Sequence, residues 1–242
     1  MPSGYWDIHN HILPGVDDGA SCMEETYDLL AEEYRQGVRN IIFTPHHRPK
    51  LFRVSIKDRE SVYWKVCRQM HETFPDMHFY LGCEFYVHDR MEEELADIRC
   101  RMARTNVVLA EFPTAGHFTD MKRHVQEILR QGYHLIIAHA ERYRCLYTSG
   151  ERLAWLRQAG ALVQLNAGSI LGREGSEAKH FCIKALQDGH ADFIASDAHN
   201  MRGRPVELAA CRKKIQRKFG KEHADWWFGQ APDKLFGRGC RR

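Results

Sequence analysis

Seven short apolar segments recur along the chain, and each has the length and β-branched or aromatic content of a strand buried on both faces. They are Trp6–Ile12, Asn40–His46, His78–Glu84, Asn106–Glu111, His134–His139, Leu162–Asn166 and Asp192–His199. The stretches between them carry helical spacing. Ser21-Cys22-Met23-Glu24 has the form of a capping box, apolar residues follow at Met23, Tyr27, Leu30 and Tyr34, and Gly37 stands where a left-handed terminator is wanted. Further helices are predicted at about 58–73, 119–131, 149–159, 176–188 and 204–219, with a weaker one at 89–104, and long loops at 47–57, 112–118 and 167–175. Strand–helix alternation predicts parallel strands covered by helices. No repeat beyond this alternation, no low-complexity stretch and no linker is visible, so the 242 residues are expected to form one domain.

The ends of the apolar segments decide between an open sheet and a closed one. Nearly every segment ends in a metal-binding residue: His9 and His11, His46, Glu84, Glu111, His139, and Asp197 with His199. An open doubly wound sheet concentrates its site at one switch point, whereas a barrel gathers all strand ends at one mouth. The expected fold is therefore an α/β barrel of seven strands, one short of the common eight. His9-x-His11 and Asp197-x-His199 each place two ligands on one face of a strand. Imidazole and carboxylate suit Mn, Fe, Zn or Mg, and the surplus of ligands points to a multinuclear hydrolase. After the Pro14-Gly15 turn, Asp17 or Asp18 can swing back as a further ligand. Cys83 falls on the opposite side of its strand from Glu84 and is assigned to packing. His47 is either a hydrogen-bond donor beside His46 or an exposed loop residue.

Composition narrows the function classes. The net charge is +3 with opposite charges interspersed, so no nucleic-acid surface is implied; only Arg212-Lys213-Lys214 and the run from Arg238 to Arg242 are locally basic. Tyr63, Trp64, Trp226 and Trp227 are assigned to core or interface. Eight scattered cysteines form no C-x-x-C pair, which suits reduced thiols in a cytoplasmic protein. No apolar run approaches the ~20 residues of a membrane span, and the early His9 and His11 leave no room for a secretion signal. Cys211 and Arg217 have the C-x5-R spacing of cysteine-dependent phosphatases, but the intervening residues are charged and lack glycine.

Four blocks resemble the signatures of the polymerase and histidinol phosphatase (PHP) superfamily: Asp7-Ile8-His9-Asn10-His11, Thr44-Pro45-His46, Ala138-His139-Ala140-Glu141-Arg142 and Ser196-Asp197-Ala198-His199-Asn200. The longer runs from Asp7 to Ala20 and from Ala31 to Arg39 resemble the bacterial manganese-dependent protein-tyrosine phosphatases of the CpsB/YwqE type, and the similarity extends from Trp6 to about Pro205. The resemblance implies a distorted TIM-like (β/α)7 barrel, the PHP fold, holding three divalent ions, with Mn favoured. One ion would be held by His9, His11, Glu84 and Asp197, a second by Glu84, Glu111 and His139, and a third by Asp18, His46 and His199. It further implies that Arg142 and Arg204 clamp the phosphate, with Arg202 as the rival of Arg204. The implied activity is dephosphorylation of phosphotyrosine in the tail of a bacterial tyrosine kinase that controls capsule or exopolysaccharide export. The alternatives are a small-molecule phosphomonoesterase such as histidinol phosphatase and a non-catalytic metal-bound scaffold. The oligomeric state is left open.

Overall fold

The computed structural model describes residues 4–147 and 150–237. Its parallel strands are β1 (Tyr5–Asp7), β2 (Val38–Phe43), β3 (His46–His47), β4 (His78–Leu81), β5 (Glu84–Tyr86), β6 (Val107–Glu111), β7 (His134–Ile137), β8 (Leu162–Asn166) and β9 (Phe193–Ala195). They hydrogen-bond in the orders β1-β2-β4 and β3-β5-β6-β7-β8-β9. Two of the seven apolar segments are thus each broken into two ladders. Thr44-Pro45 interrupts the second, where proline has no N–H to donate, and Gly82-Cys83 interrupts the third. The breaks stay stitched: Gly82 N–H donates to the Phe43 carbonyl (2.8 Å) and Thr44 N–H to the Asn10 carbonyl (3.1 Å).

The ring closes between the first and last strands at their C-terminal ends. Asn10 and Ala198 form a parallel bridge, Asp197 N–H donates to the His9 carbonyl (2.8 Å) and His11 N–H to the Ala198 carbonyl (2.8 Å). The fold is a distorted α/β barrel, as expected. Alternating strand residues separate two sets of buried side chains. Ile41, Phe43, Val108, Ala110, Leu135, Ile137, Val163, Leu165 and Ile194 pack in the larger core, with the helices. Trp6, Ile42, Val107, Leu109, Ile136, Phe193 and Ala195 form the second, smaller cluster, which Ala231 and Phe236 complete. Trp6 stacks on Tyr80 (ring centroids 5.5 Å apart) and meets Phe236 at 6.0 Å. The C-terminal helical segment Lys221–Phe236, absent from the sequence-based expectation, thus closes one end of the barrel interior.

The helices are α1 (Met23–Arg35), α2 (Ile56–Met70), α3 (Met91–Ala96), α4 (Phe118–Arg130), α5 (Gly150–Ala159), α6 (Ala167–Leu171), α7 (Gly175–Gln187) and α8 (Leu208–Phe219). Several expectations shift. The capping box does not form: the cap of α1 is Cys22, without a side-chain bond, while Ser21 donates from both N–H and hydroxyl to Glu25. Instead Ser55 caps α2, accepting from Asp58 N–H (3.1 Å). The segment 89–104 is only one helical turn and a half followed by two 3-10 turns, and the loop 167–175 contains α6. Gly37 does adopt a left-handed φ of 90°. The helix expected from 149 is observed from Gly150, since Ser149, like the basic run 238–242, lies outside the described residues. Trp227 is buried and Tyr63 nearly so, whereas Trp64 and Trp226 are exposed.

The loop from Ile12 to Ala20 folds back beneath the mouth, and Gly19 makes this possible. A Cβ there would stand 1.9 Å from the His11 carbonyl oxygen. Gly19→Ala is expected to cost about 1–3 kcal/mol, as overpacking against immovable backbone does, and to lower Tm by several degrees. Gly150→Ala, where a Cβ meets nothing within 4 Å, should leave Tm nearly unchanged. Equal melting curves for wild type and Gly19→Ala would refute this close approach.

Candidate metal centre

The strand ends bring nine sequence-predicted residues to one place. Glu84, at the start of β5 and 1% exposed, lies at the centre. Its Oε2 is 3.4 Å from His9 Nε2, 3.3 Å from His11 Nε2 and 3.0 Å from His46 Nδ1, and its Oε1 is 2.6 Å from His139 Nε2. Asp197 Oδ1 stands 3.6 Å from His9 and 3.4 Å from His11. Glu111 Oε2 approaches His46 Nδ1 at 3.7 Å. On the solvent side, half-exposed Asp18 lies 3.4 Å from His46 Nε2 and 3.5 Å from His199 Nε2.

Three groups of donor atoms are close enough to share an ion: His11, Asp18, His46 and His199; His9, His11 and Glu84; and His46, Glu84 and Glu111. The grouping of Asp18, His46 and His199 matches the set implied by the family resemblance. His46 additionally reaches the pair Glu84 and Glu111, and His139 is within reach of Glu84 alone among these acids.

The polar network around the cluster sets the histidine tautomers. His9 Nδ1 donates to Gln164 Oε1 (2.9 Å), His11 Nδ1 to Asp17 Oδ2 (2.7 Å) and His199 Nδ1 to the Asp197 carbonyl (3.0 Å). Each leaves Nε2 with its lone pair toward the centre. Asp17 also accepts from His46 N–H (2.9 Å) and Gly19 N–H (3.0 Å), so of the two neighbouring acids Asp18 offers a ligand atom and Asp17 orients His11. Gln164 Oε1 accepts from His139 N–H (2.8 Å), and Asn166 Nδ2 donates to Asp197 Oδ2 (2.7 Å). Buried Asp7 ties the first and last strands together, accepting from Ser196 N–H (2.9 Å), Ser196 hydroxyl (2.6 Å) and Asn10 Nδ2 (3.1 Å).

Sequence reasoning left open which of Asp17 and Asp18 would ligate and which would support, and missed Asp7, Gln164 and Asn166 as positioning residues. Alternation gives the signal for Gln164 and Asn166, which share a strand face, and for Asp7, two residues before His9.

Two of the candidate ligand residues also depart from regular strand geometry. His139 (φ 30°) and Asp197 (φ 53°) are left-handed, a strain of roughly 1–3 kcal/mol each that persists only where the surroundings enforce it. Ala138 belongs to the smaller buried cluster, so simple alternation would turn His139 away, and the left-handed residue redirects it.

Arg142 and Arg204 stand at the rim. Arg204 Nη2 donates to Asp197 Oδ2 (2.5 Å) and its Nη1 lies 2.6 Å from His199 Nε2; Arg142 Nη1 is 3.5 Å from the same Asp197 oxygen. Arg202 is exposed, and only its backbone N–H contacts Asn200. Between the rivals, Arg204 is the one beside the cluster. His47 donates away from it, to Glu94 (2.6 Å).

Electrostatics and unmet donors both fit divalent cations. Glu84 Oε2, Glu111 Oε2, His46 Nδ1, His139 Nδ1 and Asp197 Oδ1 are buried without a hydrogen-bond partner among the described residues, although unpaired buried polar atoms are rare in folded proteins. Burial and the Glu84 charge push Glu111 up to about 7. Burial and the neighbouring His11 hold His199 down to about 4. Burial also opposes protonation of His46, but its contacts with Asp18 and Glu84 prevail and raise it to about 9. Burial disfavours charge on Glu84 and Asp197, yet the histidines around both hold their carboxyls well below the usual range.

No thiol approaches this chemistry. The seven cysteines among the described residues are free, Cys83 is in the core, and Cys211 and Arg217 lie within α8, where burial pushes the Cys211 thiol up. The motif spacing therefore makes no phosphate cradle. Of the locally basic run on α8, Arg212 pairs with Asp225 (2.9 Å) and Lys214 donates to the Ile170 carbonyl (2.6 Å). No helix among the described residues is long and apolar enough to cross a membrane.

Residues 5–237 match the model of the capsular polysaccharide synthesis family, CpsB/CapC. The chain belongs to this family. The tyrosine-protein phosphatase CpsB of Streptococcus agalactiae is 33% identical over 232 residues, covering 92% of this chain and 94% of that one. A solved structure from work on YwqE of Bacillus subtilis and CpsB of Streptococcus pneumoniae, described as unique metal-dependent tyrosine phosphatases, superposes with a TM-score of 0.83 at 28% identity, covering 90% of this chain and 89% of that one. A histidinol phosphate phosphatase from Lactococcus lactis shares the fold alone, with a TM-score of 0.57 at 14% identity and coverage of 94% and 97%. Within the CpsB/CapC family fold, the geometry accounts for why so many strand ends carry ligand-type residues.

The protonation states give a sign for pH. Below pH 9 His46 holds a proton in the ion-free protein, and a cation at that site must expel it. Affinity for Mn is therefore expected to rise from pH 7 to 9 by at least about tenfold per pH unit, because His46, and also His11, which its carboxylate neighbours raise against the effect of burial, must release protons to bind an ion. Calorimetry in buffers of different ionisation enthalpy checks this; a pH-independent affinity over that interval would contradict it. Glu84→Gln should lose most bound metal, whereas Lys50→Ala, in the nearby loop, should retain it.

Proposed function

We propose that this chain is a metal-dependent phosphotyrosine-protein phosphatase with a trinuclear centre, Mn being the favoured ion, held by His9, His11, Asp18, His46, Glu84, Glu111, His139, Asp197 and His199. The observation that carries the reading is the Glu84-centred cluster: buried, partnerless donor atoms with two arginines at its rim. Bound divalent ions would supply a nucleophilic water at neutral pH and neutralise charge on phosphoryl oxygens. The four carboxylates Asp18, Glu84, Glu111 and Asp197 bring four negative charges, fewer than three divalent cations carry, and the remainder suits a phosphate dianion.

Arg142 and Arg204 bind and orient that dianion. Their guanidinium forks match pairs of phosphate oxygens, and their contacts with Asp197 hold both forks at the edge of the cluster. Such orientation lowers the barrier by fixing the ester in one approach geometry. Asp17, Gln164 and the Asp197 carbonyl keep His11, His9 and His199 in the tautomer that presents Nε2. A tyrosine leaving group has a pKa near 10 and departs with less protonation than an alkoxide. By family, the substrate is the tyrosine-phosphorylated tail of a bacterial kinase that regulates capsule or exopolysaccharide synthesis, met in the cytoplasm.

A substrate panel tests the reading. Phosphotyrosine peptide, phosphoserine peptide and histidinol phosphate are compared with Mn, Mg, Zn and chelator. Phosphotyrosine peptide should be turned over best with Mn, chelator should abolish turnover, and thiol alkylation should leave it intact. Preference for histidinol phosphate would replace this reading with a small-molecule phosphomonoesterase, and no turnover of any ester would leave the scaffold.

Arg142→Ala or Arg204→Ala should cut kcat/KM at least about 100-fold, the scale of losing an oriented charge contact in a transition state, with metal content unchanged. Arg→Lys should rescue only in part. Arg202→Ala should be silent; if it alone were damaging, the clamp would move to Arg202.

A further inference from the structure

The loop between β3 and α2 turns back over the candidate metal centre. Leu51 and Phe52 N–H groups both donate to the Arg48 carbonyl (2.9 Å each). Arg48 is anchored in turn, its guanidinium 3.8 Å from the centre of the Tyr86 ring, on a residue paired in register with Glu111. The turn lays half-buried Phe52 parallel to the His46 ring, with centroids 5.0 Å apart and planes 3° apart. His46 also touches the His11 ring at 4.4 Å. Its Nε2 faces half-exposed Asp18, so this is the side of the cluster that opens to solvent.

Two further features set the loop apart. Leu51 (60%) and Val54 (40%) are among the few large apolar side chains left exposed. The stretch His47–Ser55 contains Arg48, Lys50 and Arg53 and no carboxylate, and no ion pair engages Lys50 or Arg53 among the described residues. An apolar, cationic loop beside the candidate metal centre complements an aromatic ring attached to an anion.

We propose that Phe52, with Leu51 and Val54 beside it, forms a subsite for the aryl group of the phosphoester and selects aryl over alkyl phosphates. The proposal rests on the phosphatase reading for its substrate and adds the residue that discriminates. The Phe52 phenyl supplies a ring face at the mouth, and aromatic rings pair favourably at centroid separations of about 4.5–7 Å in offset or edge-to-face arrangements. A serine phosphate has no ring to place there. Phe52 also supports His46, but that role would affect every substrate alike.

The test separates the two roles by a ratio. Wild type, Phe52→Ala, Phe52→Leu, Phe52→Tyr and Phe52→Trp, all loaded with Mn and assayed for metal content, are compared on phosphotyrosine and phosphoserine peptides of one sequence. The ratio of the two kcat/KM values should fall about tenfold in Phe52→Ala and Phe52→Leu, the upper range of an aromatic pair, and stay near wild type in Phe52→Tyr and Phe52→Trp. Equal losses on both peptides would assign Phe52 to supporting His46 alone and overturn the proposal.

Binding of phenylphosphonate and methylphosphonate provides a second readout without turnover. Wild type should prefer the phenyl compound and Phe52→Ala should lose that preference; no preference in wild type would overturn the subsite. Failure of wild type to hydrolyse phosphotyrosine peptide would instead count against the phosphatase reading, while the phosphonate result would still decide the subsite.

Discussion

The structure depends on compensating a dense group of ionisable side chains buried at one end of a closed sheet. Glu84, Asp197, His9, His11, His139 and His199 are all removed from solvent. An isolated buried charge costs several kcal/mol even after relaxation, so these groups persist only because each faces the others or a partner that fixes its orientation. Four atoms of the cluster, Glu84 Oε2, Glu111 Oε2, His46 Nδ1 and Asp197 Oδ1, are left without a hydrogen bond among the described residues. Divalent cations would complete the compensation and tie folding to metal binding.

The rest of the architecture follows from delivering those side chains. Closing the ring through His9–His11 and Asp197–Ala198 brings the candidate ligands His9 and Asp197 to 3.6 Å from each other. The interruptions at Thr44-Pro45 and Gly82-Cys83 fall just before His46 and Glu84, and the two broken strands stay paired with each other across them, β2 with β4 and β3 with β5. Two of the four left-handed non-glycine residues among those described are His139 and Asp197; the other two, Ala103 and Arg104, precede β6. The smaller buried cluster stays apolar and is closed by Phe236.

Much of this was legible in the sequence, for a physical reason. A strand buried on both faces reads as an apolar run, and a ligand at its end interrupts that run, so His46, Glu84, Glu111 and Asp197 announce both the element and the site. What stayed hidden depends on three-dimensional pairing. Asp7 looks like an ordinary acid until Ser196, distant in sequence, is placed against it. Asp17 and Asp18 are adjacent and chemically alike; only the fold of the loop sends one to His11 and the other to the rim. The C-terminal helical segment was overlooked although its buried residues Ala224, Trp227, Phe228 and Ala231 recur at helical spacing. The capping box failed at Ser21 because Glu25 competed for its donors.

The central claim is that the Glu84 cluster is a multinuclear metal centre. Anomalous diffraction from crystals grown with Mn, recorded on both sides of the Mn absorption edge, tests it most directly. The account predicts strong Mn-specific peaks inside the cluster, three at full loading, with Glu84 between two of them and Asp18 beside the most exposed. A map without peaks there, or with Mn bound only elsewhere in a protein that still hydrolyses phosphotyrosine, would contradict it.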